Sequence, residues 1–308
     1  MAIVHNPKSS IPAKLKGLHL FHFDGAPCAQ RVRFALAEKG LFRSREENFD
    51  DVSETASLGD QVSWVSRSVS LVKKDHMTAT YAAIHPNMVV PALVHDGRLY
   101  LESLDIICYL DEAFGGSQLV PSEPESRALT MNRVEEAKTL HRSVRFVSFY
   151  WGLGRLAMLN PRELQKLKQL AESGNDGEQL VEFYNGYSSR TIPESTYVDH
   201  LNKLYSAFNE REKEFSDGRL FLMGDELSIA DAFWAMKVLR LFECGYPFST
   251  YHPKLWQWFN LIREKPSFQR EVMSHKFAHH AFRVKAKIES LLGIGLKQAV
   301  QRLVKEGY

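Results

Sequence analysis

Cysteine is scarce. The chain has 308 residues and three cysteines, Cys28, Cys108 and Cys244, far apart and without a Cys-x-x-Cys pair. That argues against a disulfide framework and a structural zinc site, and fits a reducing compartment. An excess of charge of one sign is also missing. With 39 basic and 37 acidic residues the net charge is +2, so no broad basic surface for nucleic acid is implied. No apolar run is long enough to span a bilayer. The opening MAIVHNPKSSIPAKLKG lacks the apolar core of a secretory leader. A cytoplasmic protein with no membrane partner is the expectation. What is present is ordinary for a globular chain of two domains, with 44% apolar and 25% charged residues.

Residues 1–16 are polar, contain two prolines, and read as a loose N-terminal extension. Leu18 to Phe23 reads as a strand, Asp24-Gly25-Ala26-Pro27 as a turn, and Cys28 to Lys39 as a helix closed by Gly40. Glu46 to Phe49 reads as a second strand. Asp50 to Ala83, rich in Ser and Val, is longer than a usual connection and reads as an insertion.

The stretch Asn87 to Phe114 is the most informative. Ala92-Leu93-Val94 and Leu99-Tyr100-Leu101 are apolar runs joined by His95-Asp96-Gly97-Arg98, whose Asp-Gly pair signals a tight hairpin. Ile106, Ile107, Leu110 and Phe114 then recur at helical spacing, with Ser103 as an N-cap. Pro91 cannot donate to a sheet ladder, so it requires a cis bond before it or an edge position. Glu102-Ser103 offers a hydroxyl and free helix-start N–H groups to a carboxylate, with an acid beside them for an ammonium. Beyond Gly115 to Ser126, with Pro121 and Pro124, the chain reads as nearly all helical. Ala128 to Met158 is one long stretch bent near Gly152, and Glu172 to Gly177 interrupts the helices that follow. Ser228-x-x-Asp231 is a capping box with a structural role. In the tail, Leu292, Leu296, Val300, Leu303 and Val304 form an apolar face suited to packing on its own domain or on a partner subunit.

Val90-Pro91, the Asp-Gly turn and Glu102-Ser103, in that order, resemble the glutathione-binding half of the thioredoxin-like domain of glutathione transferases. Gly224 to Asp231 resembles the capping motif of their helical domain, and Lys265-Pro266-Ser267-Phe268 their final turn. The resemblance implies an α+β fold, an N-terminal thioredoxin-like domain with a C-terminal all-α helical domain, in a homodimer or heterodimer. The implied division is 1–16 as extension, 17–114 as the glutathione-binding domain, 115–126 as linker, 127–285 as the helical domain and 286–308 as a helical tail. It also implies glutathione as co-substrate. Val90, with Pro91, would hold its cysteinyl backbone, and Glu102 and Ser103 its γ-glutamyl end.

Cys28 is the sharpest candidate for chemistry. Helix-start N–H groups and the macrodipole favour a thiolate. GAPCAQRVRFALAEKG resembles the first-helix segment of cysteine- and serine-type glutathione transferases. The omega-type alignment puts the catalytic cysteine at Ala26, whereas that to the reductive dehalogenases of chlorinated hydroquinones puts it at Cys28. Gly25 and Ala26 supply no hydroxyl. Arg31 and Arg33 could meet an anion, although solvated positions are commoner. A small aromatic electrophile would meet Tyr150 and Trp151, with Phe146 and Phe149, and Tyr184, with Tyr187 and Trp234. His275, His279 and His280 read as a solvated face with no acidic partner, and no metal is expected. The segment around Val90 to Phe114 resembles bacterial lignin β-etherases, and the first helix the reductive dehalogenases. The reaction implied is attack of glutathione thiolate on an aromatic compound, with β-aryl ether cleavage as the leading form. A Cys28-dependent dehalogenase or thioether lyase, and a non-catalytic binding or assembly subunit, are the alternatives.

Overall fold

The computed structural model describes residues 3–52, 63–171 and 175–307. It forms two compact units, one of residues 3–117 with 158–191 and one of residues 118–157 with 192–307. The expected division placed all of 127–285 in one helical domain. The helices Pro161–Ala171 and Asn175–Ser189 belong instead to the first unit. There Leu159, Leu167 and Ala171 pack with Met77 and Met88.

Among the described residues the first unit has six strands, β1 (Ile3–Val4), β2 (Leu18–His22), β3 (Phe42–Asn48), β4 (Ser63–Ser68), β5 (Ala92–His95) and β6 (Arg98–Leu101). Their order across the sheet is β1-β6-β5-β2-β4-β3. The extension is not wholly loose, because β1 pairs with β6 and forms one edge of the sheet. The expected second strand lengthens to β3, but the parallel neighbour of β2 is β4, from within the expected insertion, and among the described residues β3 pairs only with β4. Residues 53–62 of that insertion lie outside the described residues. β5 and β6 form the predicted hairpin, and Asp96 and Gly97 both take positive φ (48° and 83°), as a two-residue type I′ turn requires.

The strand β2 is buried along its whole length although it carries two histidines. Each meets a fully buried arginine. Arg67 Nε donates to His19 Nδ1 at 3.3 Å, and Arg33 Nη1 to His22 Nδ1 at 3.2 Å. An arginine only donates, so both Nδ1 atoms accept and both Nε2–H groups donate. Their acceptors are the Lys16 carbonyl at 2.7 Å and Ser66 Oγ at 2.7 Å. Burial, with the positive charge of Arg67, pushes the His19 pKa down, consistent with a neutral ring. Arg67 is neutralised by Glu47 of β3 at 2.7 Å.

The start of the linker is held by Lys39, itself buried, which donates to Asp111 Oδ1 and to the Ser117 carbonyl, each at 3.0 Å. Gly116 (φ +92°) lies against it. A Cβ there would sit 2.8 Å from Lys39 Cα, so only glycine fits.

In the second unit the expected long helix divides into Pro124–Thr139 and His141–Ser148, followed by a wide π turn over Phe149–Leu153. Of the break expected over 172–177, residues 172–174 lie outside the described residues, and 175–177 already belong to the helix Asn175–Ser189. The helix Ile229–Glu243 opens with the predicted capping box. Asp231 is fully buried and accepts four hydrogen bonds, from Leu222 N–H, Ser228 N–H, Ser228 Oγ and Trp258 Nε1, at 2.8–2.9 Å. Burial pushes its carboxyl pKa up, and the four donors oppose that shift. The tail helix Leu296–Lys305 buries Leu296, Val300 and Leu303 within its own unit. No helix among the described residues is long and apolar enough to cross a membrane.

Replacing Asp231 by Ala removes the acceptor of four buried donor groups. Asp231→Ala is expected to lower the stability of the second unit by about 2–4 kcal/mol. Urea denaturation followed by Trp fluorescence would measure it, and an unchanged midpoint would contradict the structural role of the box.

Candidate functional site at one end of the sheet

Strand register assembles the candidate residues. β2 runs antiparallel to β5 with Phe21 opposite Ala92, and β5 runs antiparallel to β6 with Ala92 opposite Leu101. The end of β2, the residues before β5 and the residues after β6 therefore share one end of the sheet. Those are the Phe23–Cys28 segment, Val90-Pro91 and Glu102-Ser103. The parallel strand β4 ends there too, with Ser68 opposite His22.

The Val90–Pro91 peptide is cis, and Pro91 precedes the first residue of β5, so no ladder bond is lost. Tyr81, fully buried, donates its hydroxyl to the Val89 carbonyl at 2.8 Å and so anchors this segment from below. Burial pushes the Tyr81 phenol well above its usual range, so it remains a donor.

The cap of the helix Ser103–Ala113 lies one residue earlier than expected. Glu102 occupies the N-cap position and Ser103 is the first helical residue. Glu102 has φ 62° and ψ 121°, a conformation that costs a residue with a Cβ on the order of 1–3 kcal/mol. Ser103 is buried and Glu102 exposed, so the pair presents a recessed hydroxyl with an acid above it.

Cys28 is the second residue of the helix Pro27–Glu38, whose cap residue Ala26 contributes no side-chain hydrogen bond. The thiol is half-buried, and Arg31 Nη2 donates to its Sγ. The two helices that start at this end, Pro27–Glu38 and Ser103–Ala113, pack against each other. Their N-termini bring two sets of outward N–H groups and two positive dipole ends to the same region.

Arg31 and Arg33 are not on a solvated face. Both are buried, and Arg33 is completely so. Arg33 Nη2 donates to the Asp24 carbonyl at 2.9 Å, and its guanidinium lies 3.3 Å from the Asp24 carboxylate. Arg43 reaches the same carboxylate at 2.9 Å. Burial works against the Asp24 charge, yet the Arg33 and Arg43 guanidiniums outweigh it and hold its pKa far below the usual carboxylate range. This cluster fixes the loop that delivers Cys28. One signal for it is in the sequence. From Ala29 to Ala37 the helix has no polar face apart from Gln30 and the two arginines, so the arginines had to turn inward to partners.

The aromatic candidates divide between the units. In the second unit, Trp151 is buried and Tyr150 is exposed, stacked on Tyr197 at 4.2 Å between ring centroids. Trp234 is core, donating from Nε1 to the Arg133 carbonyl at 3.0 Å. In the first unit, Tyr184 packs against the Met77–Met88 cluster and edge-on to Phe183. His279 departs from the expected solvated face. It is buried and paired through Nδ1 with Glu243, an acid from another helix that sequence spacing does not reveal. Burial disfavours the imidazolium, but Glu243 outweighs it and the His279 pKa rises.

Two family models match the chain and together cover more than half of it. One, "Glutathione S-transferase, N-terminal domain", matches residues 20–118, and the other, "Glutathione S-transferase, C-terminal domain", residues 178–261. Among curated relatives, Glutathione S-transferase 1 of Dianthus caryophyllus is 29% identical, over 72% of this chain and 76% of its own. The 2,5-dichlorohydroquinone reductive dechlorinase of Sphingobium indicum is 27% identical, over 74% of this chain and 72% of its own. Among solved structures, the β-etherase LigF from Sphingobium sp. strain SYK-6 superposes with a TM-score of 0.67 at 20% identity, covering 83% of this chain and 99% of that one. The thioredoxin-like sheet with its helical continuation, the Val-Pro and Glu-Ser segments at one end of it, and the matches to both halves agree, and the chain belongs to the glutathione S-transferase family, whose co-substrate is glutathione.

Proposed function

We propose that the chain binds glutathione at this end of the sheet and directs its thiolate at an aromatic electrophile. The observation that carries the reading is the convergence of the cis Val90-Pro91 segment with the starts of two helices, at Cys28 and at Ser103. The ligand is a zwitterionic tripeptide with a thiol, and each part has a partner of the right chemistry. The Ser103 hydroxyl and the helix-start N–H groups suit the γ-glutamyl carboxylate, and Glu102 suits its ammonium. The Val90 backbone, ahead of the sheet ladder, pairs with the cysteinyl amide. The N-terminal turn of Pro27–Glu38 stabilises the sulfur as thiolate.

The leading reaction is β-aryl ether cleavage. The glutathione sulfur bonds to the carbon bearing the aryloxy group, the carbon–oxygen bond breaks, and the phenolate leaves and takes a proton. Similarity to the β-etherase LigF supports this reading. Tyr150 and Trp151, and Tyr184, are the candidate aromatic contacts. A second reading rests on Cys28. Its half-buried thiol, with Arg31 against the sulfur, suits attack on the sulfur of an S-aryl glutathione. That attack forms a Cys28–glutathione disulfide and passes the electron pair to the ring carbon, which takes a proton. A second glutathione then releases Cys28. Similarity to the reductive dechlorinase supports it.

Removing the Ser103 hydroxyl deletes one charge-assisted hydrogen bond to the ligand. Ser103→Ala is expected to weaken glutathione binding by about tenfold, or roughly 1.4 kcal/mol. Titration calorimetry would read it, and an affinity within twofold of the parent would remove Ser103 from the site. The two reactions separate by mass spectrometry of products with Cys28→Ser beside the parent. Phenol and a glutathione thioether from a β-aryl ether ketone, formed by both proteins, support ether cleavage without Cys28. With a glutathionyl hydroquinone, a trapped Cys28–glutathione disulfide in the parent and loss of turnover in the variant support the second reading. No turnover of either substrate sinks both.

A further inference from the structure

The helix Lys276–Leu291 carries two parallel stripes that the transferase reading does not use. The first is apolar. Phe277, Ala281, Val284, Ile288 and Leu291 recur at alternating steps of four and three, the seam of a coiled coil. All five are exposed, Phe277 at 86% and Leu291 at 89%. Leu292 and Ile294 extend the exposed apolar surface just past the helix.

The second stripe is cationic. Lys276, His280, Arg283 and Lys287 follow the same steps on the adjoining flank and are exposed. Among the described residues no carboxylate pairs with any of them. The acid on the same helix and the one in the adjoining cleft are both engaged, Glu289 by Lys285 at 2.6 Å and Glu243 by His279. Lys276, His280 and Arg283 also rim a cleft of about 170 Å³ lined by Phe242 and Met273, where Arg263 adds a further cation and the carboxylate of Glu243 is taken up by His279.

The face is held rigidly outward. On its other side the helix is fixed by the His279–Glu243 pair and by Lys285, which donates to the Trp151 carbonyl at 3.2 Å. Ala286 packs on Gly245, where a Cβ would come within 3.1 Å of it.

Charge selects the occupant. A second copy packed antiparallel would set the cationic row against itself. Packed parallel, it would set that row against Lys285. Both arrangements oppose like charges. A flat anionic membrane would leave the cleft behind the cations unused, whereas carboxylate side chains on a helix can enter it. We propose that this face docks an amphipathic helix of a different protein, with apolar residues at heptad positions and a row of Asp or Glu along the flank that meets Lys276, His280, Arg283 and Lys287.

The test uses the full chain and two labelled synthetic helices about three heptads long, both with Leu at the seam. One carries Glu along the flank and the other Lys. Fluorescence anisotropy is expected to show the Glu helix binding at least about tenfold more tightly, with affinity falling as salt rises. Ile288→Glu should abolish binding of both helices. The double variant Arg283→Glu, Lys287→Glu should reverse the preference towards the Lys helix. These positions are exposed, so circular dichroism should not change, and melting of the double variant should fall only slightly, through loss of the Arg283 contact over the Phe242 ring at 5.0 Å. Equal binding of the two helices, no binding, or an unreversed preference in the double variant would overturn the proposal. So would saturable binding to phosphatidylserine vesicles that Ile288→Glu removes, or a dimer by sedimentation that the same variant dissolves.

Discussion

The antiparallel seating of β5 between β2 and β6 is the constraint on which the first unit depends. Register in a half-buried or fully buried sheet is set by which side chains must face inward, and a slip of one residue turns every one of them over. Here Leu93 and Val94 are fully buried and Leu99 and Tyr100 nearly so, so both faces of the hairpin are covered, and the two-residue Asp96-Gly97 turn fixes the alignment. That alignment fixes the position of the Val-Pro segment before β5 and the Glu-Ser segment after β6. A ligand site assembled from three distant stretches of chain thus comes from ladder geometry more than from contacts between the site residues themselves.

Charge inside the first unit follows a common rule. Arg33, Arg67 and Lys39 are all buried, and each finds a carboxylate together with backbone carbonyls or a neutral imidazole. A buried ion pair contributes little net stability compared with apolar packing of the same volume, while losing one partner costs about 3–5 kcal/mol. Such pairs therefore specify more than they stabilise. Arg33 sets the loop before Cys28, Arg67 ties β3 to the centre of the sheet, and Lys39 fixes where the chain leaves the unit. Arg33 and Arg67 lie towards the site end of the sheet, whereas Lys39 lies at the far end of the helices that begin there.

What the sequence disclosed and what it hid differ by the range of the interaction responsible. The hairpin, the Val-Pro segment and the Ser228–Asp231 box are local patterns, and each is found where the sequence placed it, to within a residue. The strand β4 was hidden. Ser-Trp-Val-Ser-Arg-Ser reads as a polar connection, because Arg67 looks solvated until Glu47, on a neighbouring strand, is seen to neutralise it. The buried arginines of the first helix and the Glu243–His279 pair escaped for the same reason. The helices after residue 158 read correctly as helices, but their attachment to the first unit depends on Met77 and Met88, distant residues with no local mark.

The outer strands carry a consequence for assembly. One edge of the sheet is β1, two residues long. The other is β3, whose sequence Phe-Arg-Ser-Arg-Glu-Glu-Asn alternates exposed and half-buried positions and bears four charges. A short edge and a charged one are the two devices by which sheets resist recruiting further strands. Neither edge invites a neighbouring chain to continue the ladder. Growth of the sheet into a filament is disfavoured at both ends, and association of this protein with itself or with others is left to its helical surfaces.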